Sequence, residues 1–176
     1  VDGHIIKLTP NLEEVAKRKY KYAKFHALAY GSSLYAVESQ GFLINISDDF
    51  KMFVMKRFDI LEDGTYLGFE DMCVLTARGV ENKYDGSYEE CARVIKDIIS
   101  PQYKKESLKI FFKSLVMNHF LKNGDAHLKN YGILYKNDFN NSFLAPIYDV
   151  ITTKVYIKND IPALRLSDGK LWWKEK

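Results

Sequence analysis

Asp125, Asn130 and Asp149 stand in an order and at a spacing that suit transfer of a phosphoryl group to a hydroxyl. That reaction asks for a carboxylate to accept the hydroxyl proton and for oxygen ligands that hold magnesium against nucleotide phosphates; positioning and electrostatics do the rest. In Asn123-Gly-Asp-Ala-His-Leu-Lys-Asn130, Asp125 precedes Asn130 by five positions, and Pro146-Ile-Tyr-Asp149 supplies a second carboxylate 19 residues beyond Asn130. Taken singly, each residue has a plainer reading: Asn-Gly-Asp is a turn, His127 a satisfied loop histidine, Asp149 a cap. The combination of order, spacing and secondary structure favours the chemical one.

The order is that of a kinase catalytic loop, with Asp125 as base and Asn130 and Asp149 as metal ligands. The elements between them must bring the two ligands together. Tyr131-Gly-Ile-Leu-Tyr135 is apolar and aromatic, residues 136–142 read as a polar Asn/Asp-rich turn, and Phe143-Leu-Ala145 returns, so a hairpin is expected to set Asn130 beside Asp149. Two hard oxygen ligands suit magnesium, which keeps several waters and bridges phosphates.

With 176 residues the chain is sized for about one domain with a real core, and 47% hydrophobic with 28% charged residues excludes disorder and fibrous repeats. The 11 Phe and 12 Tyr predict a well-filled interior. A net charge of +3 is compatible with holding a nucleotide and too weak to indicate nucleic-acid binding. Cys73 and Cys91 lie 18 apart without metal-ligand spacing and read as reduced core thiols of a cytoplasmic protein. No apolar run is long enough for a membrane span, and the N-terminal residues do not form a signal peptide. The chain opens without Met inside a strand-like pattern, which suggests a piece of a longer protein.

Residues 1–8 read as a strand. A helix is expected over 12–30, opened by Asn11 and Glu14 and stopped at Gly31. Strands are expected over 34–37, 42–46 and 52–58, the last two joined at Ser47-Asp48-Asp49. Helices follow over 70–78, 88–99 and 105–121; in the third, Leu108, Phe111, Phe112, Leu115, Val116 and Phe120 form an apolar stripe expected to face the core, with His119 a structural residue. Residues 161–166 and 169–173 read as a last hairpin. The fold class is therefore α+β, a protein-kinase-like two-lobed arrangement. Residues 1–60 would be a remnant N-lobe with a small antiparallel sheet, and 61–176 a mostly helical C-lobe carrying the catalytic-loop hairpin. In such a fold an early strand supplies a lysine to the phosphates, for which Lys7 is the candidate, and the backbone from Lys56 to Phe58 lies where the adenine edge is read.

Five segments together resemble the HipA-like serine/threonine kinases, toxins of bacterial toxin–antitoxin modules: His4-Ile-Ile-Lys-Leu8; Lys56-Arg-Phe-Asp59; Glu70-Asp-Met-Cys73 with Lys83-Tyr-Asp-Gly86; Asn123 to Asn130; and Ala145-Pro-Ile-Tyr-Asp149. The resemblance implies an ATP- and Mg-dependent kinase with Asp125 as catalytic base, Asn130 and Asp149 as magnesium ligands and Lys7 as phosphate contact. It also implies His127 as part of the catalytic loop, and a Lys129 that neutralises the transferring phosphate. It further implies a protein substrate, in known cases an aminoacyl-tRNA synthetase, and a helix-turn-helix antitoxin through which DNA is reached only indirectly.

The chain departs from that family in three places. It lacks the glycine-rich loop expected upstream of Lys7 and the helices expected after Trp173. Lys19 stands where a glutamate would orient Lys7, although a shifted register would offer Glu13 or Glu14. Lys56 stands where relatives often carry glutamate. These departures motivate a competing reading, a catalytically weak or inactive pseudokinase that binds an antitoxin or target. A metal-dependent nuclease using Asp125, His127 and Asp149 is a third reading, short of the carboxylates that a two-metal site gathers.

Overall fold

A computed structural model describes residues 57–154, 156–167 and 169–173, together with the backbone of 42–45 and 51–54. Lys7, Lys19, Lys56, the elements expected over 1–8, 12–30 and 34–37, and the turn at Ser47-Asp48-Asp49 lie outside the described residues. The chain divides into two compact units, Val1–Ile60 and Leu61–Lys176.

In the first unit, strands β1 (Phe42–Asn45) and β2 (Lys51–Val54) pair antiparallel, Phe42 opposite Val54 and Asn45 opposite Lys51. The expected extension of β2 to residue 58 is not observed: Arg57 and Phe58 lie outside any strand. There Arg57 turns its guanidinium onto the Asp59 carboxylate, which holds that carboxyl below its ordinary value.

The second unit begins with strand β3 (Gly68–Asp71), continues directly into a one-turn helix α1 (Met72–Leu75), and passes a 3-10 turn at Val80–Asn82 to helices α2 (Tyr88–Ile98) and α3 (Pro101–Leu121). A second 3-10 turn, Leu128–Asn130, precedes strands β4 (Gly132–Lys136) and β5 (Asp138–Leu144). The sheet order is β3-β4-β5, antiparallel throughout, with Asp71 opposite Gly132 and Ile133 opposite Leu144. This is an α+β unit.

Local chemistry accounts for the boundaries. Ser87 caps α2 by accepting the Glu90 N–H at 3.1 Å, and Glu89 and Glu90 in the first turn with Lys96 in the last complement the helix dipole. Pro101 sits in the first turn of α3, where a missing N–H costs nothing, and Lys122 ends the helix in the left-handed region at φ 51°. A core of Met72, Cys91, Ile95, Phe111, Leu128, Ile133 and Leu164 is buried between the helices and the sheet, each large apolar side chain contributing roughly 1.5–3 kcal/mol. The two cysteines are buried and free, and burial pushes the Cys91 thiol up to about 12. Tyr88 packs edge-on to Tyr131 and Trp172, and His119 stacks on Trp172 at 5.6 Å, a structural role as expected.

In the second unit four further sequence expectations are corrected. The helix expected over 70–78 is half strand, because Glu70 and Asp71 pair with Ile133 and Gly132; the helical part stops at Thr76, whose hydroxyl turns back on Met72 O at 2.6 Å, ahead of Ala77 at φ 54°. The apolar stripe of the long helix does not face the core as a whole. Phe111 is buried and Leu108 and Leu115 pack against the core as expected, but Phe112 and Phe120 are 64% and 75% exposed, and Ser107, Ser114 and Asn118 take the remaining buried positions. The turn expected over 136–142 contracts to Asn137 at φ 64°, with Lys136 directly opposite Asp138. At the C-terminal end, the expected hairpin reduces to a bridge between Leu166 and Gly169, while Arg165 bridges to Ser87.

Candidate active site

The loop holding Asp125 is tied to the end of α3 by Asn123. The buried Asn123 side chain donates to Asn118 Oδ1 at 3.0 Å and accepts the Asp125 N–H at 3.1 Å, so one amide both anchors the loop and turns it. Asn118 in turn donates to the Tyr131 hydroxyl at 2.9 Å, which reaches Tyr88 Oη at 3.4 Å. A chain of polar groups therefore runs from α2 through the core to the loop holding Asp125. Gly124 donates its N–H to Thr153 Oγ1 at 2.6 Å, and a Cβ at that position would run into the Asp160 carboxylate, itself bonded to Thr153. A side chain there would have to push the Asp160 carboxylate off Thr153.

Asp125 keeps its carboxylate 39% exposed. Its Oδ1 accepts the Tyr84 hydroxyl at 2.6 Å and lies 3.8 Å from His127 Nε2. That bond pushes the Tyr84 phenol up to about 12. His127 is buried; desolvation pushes its imidazole below the ordinary value, while the charges of Asp125 and Asp149 pull the other way. Burial wins, so the ring is neutral at pH 7.

Asn130 and Asp149 meet as the hairpin requires. The Ala145 N–H donates to Gly132 O at 2.9 Å, which brings the returning chain back alongside the start of β4. Asn130 Nδ2 then donates to Asp149 Oδ2 at 2.7 Å, and Asn130 Oδ1 accepts the His127 N–H at 3.0 Å. Asp149 sits in the left-handed region at φ 55°, a conformation that a non-glycine residue keeps only when its surroundings hold it. The preceding Tyr148 helps, donating its hydroxyl to Lys129 O at 2.6 Å. The donor set fits magnesium: the Asp149 carboxylate is a hard oxygen ligand, and Asn130 Oδ1 retains a second lone pair. Among the described residues no three His, Cys, Asp or Glu side chains gather as a metal cluster.

Lys129 is placed differently from the other loop residues. Its ammonium is bonded to Asp71 at 2.8 Å, the carboxylate that also caps α1, so the charge expected at the transferring phosphate is engaged with the sheet edge. Two recesses result. Asn123, Ala126, Asn130 and Asp149 line one; Asp125, Tyr84, Thr153, Asp160 and Lys170 line an open groove of about 420 Å³. Tyr84, Asn118, Thr153 and Asp160 were not singled out individually from sequence. Tyr84 is 41 residues from its partner, and the only signal for it was the motif Lys83-Tyr-Asp-Gly86.

Comparison with known proteins gives a consistent family. Residues 2–175 match the model of the HipA-like C-terminal domain. The chain is 32% identical over 118 residues to a Sinorhizobium fredii protein named "Putative kinase Y4dM", covering 66% of this chain and 27% of that protein. Its fold is similar to a chain of the Shewanella oneidensis MR-1 HipA, HipB and operator DNA complex, with a TM-score of 0.62 at 16% identity over 86% of this chain and 40% of that one. The chain thus spans about a quarter of the length of the curated relative and two-fifths of the solved one. On the strength of the family match over nearly its whole length, this chain belongs to the HipA-like C-terminal domain family.

Proposed function

We propose that the complete protein containing this chain is an ATP- and Mg-dependent serine/threonine kinase of two-lobed fold, the toxin of a toxin–antitoxin pair working in the bacterial cytoplasm. The observation that carries the reading is the Asn130–Asp149 contact, with Asp125 one short loop away and facing an open groove.

Asp125 takes the proton of the acceptor serine or threonine hydroxyl as that oxygen bonds to the γ-phosphorus of ATP, and the bond from phosphorus to the ADP oxygen breaks. Asp149, with Asn130 beside it, would hold magnesium, which supplies charge neutralisation at the phosphates. His127, its ring 3.8 Å from the base, fixes Asn130 through its backbone N–H. Lys7 would contact the phosphates and the backbone at Lys56 to Phe58 the adenine. The acceptor is a protein, as in relatives that modify an aminoacyl-tRNA synthetase, and the partner a helix-turn-helix antitoxin; a HipB protein and operator DNA accompany the similar Shewanella chain.

The test is calorimetry of ATP on the complete protein, with and without magnesium, followed by phosphate transfer. Magnesium-dependent binding that disappears in Asp149→Asn, together with transfer by the unaltered protein, is the expected result. One observation favours a pseudokinase instead: the Lys129 ammonium is spent on Asp71. A complete protein that never transfers phosphate, with or without nucleotide bound, would establish that second reading.

A further inference from the structure

We infer that Tyr84 is a positioning residue for the catalytic base: its hydroxyl holds the Asp125 carboxylate in the orientation that presents Oδ2 to the acceptor hydroxyl. The inference rests on the kinase reading above. Its observations are independent of the Asn130–Asp149 side.

The segment around Tyr84 is fastened at one point to the loop holding Asp125 and at two points to the C-terminal residues Arg165 and Lys170. The Leu128 N–H donates to Lys83 O at 3.0 Å, the Arg165 N–H to Gly86 O at 3.0 Å, and Lys170 Nζ to Tyr84 O at 2.9 Å. The Tyr84 ring stands edge-on to His127 at 5.2 Å, with Lys83 Nζ 4.9 Å from its centroid. A ring so fixed can aim its hydroxyl, and the 2.6 Å bond to Oδ1 is the result. A phenol has one proton to give. With the Tyr84 hydroxyl donating to Oδ1, the carboxylate can no longer rotate freely, and the one hydrogen bond it accepts among the described side chains falls on Oδ1, with His127 Nε2 3.8 Å from the same oxygen. Oδ2 is left to take the acceptor proton in the groove that Tyr84 and Asp125 both line. The opposite role, a hydroxyl that occupies the acceptor's place and must be displaced, predicts the reverse effect on rate.

The experiment is steady-state phosphate transfer by the complete protein and its Tyr84→Phe variant, which keeps the ring against His127 and deletes only the bond. We expect kcat to fall by about 10- to 100-fold, the scale of a misplaced reacting group, with KM for ATP changing less than about twofold. In an Asp125→Asn background Tyr84→Phe should change nothing further, since both act through one carboxylate. Unchanged or raised kcat in an active protein would overturn the inference and leave the kinase reading standing. An unaltered protein without transfer activity would overturn both.

Discussion

The two sides of the candidate site are built on opposite plans. Around Asn130 and Asp149 the asparagine is buried and its amide is bonded at both ends, to the His127 backbone N–H and to the Asp149 carboxylate, so the placement of the exposed Asp149 is set before any ligand arrives. Around Asp125 the carboxylate is 39% exposed and meets an open groove, with one phenol steadying it. Under the proposed kinase function the difference suits two kinds of ligand: a metal–nucleotide complex would have one fixed shape, whereas a protein acceptor would have to enter and leave. Preorganisation is therefore concentrated where the ligand is invariant.

Four measurements on the complete protein would break or sharpen that contrast. Asp125→Asn should have the largest effect on activity, lowering phosphate transfer by about 10³-fold, within the range for loss of a general base, while its urea midpoint stays close to that of the parent. A variant as active as the parent would remove Asp125 from the base role. Asn130→Ala should show its effect in stability, about 2–3 kcal/mol in urea unfolding, because the buried His127 N–H loses its acceptor and Asp149 its donor. If that loss were negligible, the closed side would not be closed.

Acidification gives a smaller effect. The His127 pKa is lowered by folding, so the unfolded chain binds its proton first. Stability should fall as pH drops below the ordinary histidine value of 6.5 and continue to fall until the folded pKa is reached. His127→Gln should flatten that limb of the urea midpoint below about pH 6.5. Lys129→Ala should change stability least, by under about 1 kcal/mol, since its pair with Asp71 is partly exposed. A large loss of transfer in that variant would instead place the ammonium on the phosphate during turnover.

The closed side was legible in the sequence, because hairpin spacing is a local property: Asn130 and Asp149 follow from an apolar strand, a polar turn and a returning strand. The open side was only half legible, since Asp125 belongs to the same local segment whereas Tyr84 and Thr153 reach it from distant loops with no periodicity to announce them. The long helix misled for a related reason. Phe111, Leu108 and Leu115 do pack on the core, but two further inward positions are chosen by hydrogen bonding, Ser107 to the Leu144 N–H and Asn118 to Tyr131, while Phe112 and Phe120 stay outside. Glu70 and Asp71 likewise look like the acidic first turn of a helix, and pairing with β4 overrides that preference.

The polar chain from Tyr88 through Tyr131 and Asn118 to Asn123 has a consequence for how the loop holding Asp125 comes apart. A loop hung from the interior by buried side-chain bonds has no separate melting of its own. Native-state hydrogen exchange of the Asn123 amide, which donates to Asn118 O at 2.9 Å, should follow the opening of the α2–α3 core as one cooperative unit.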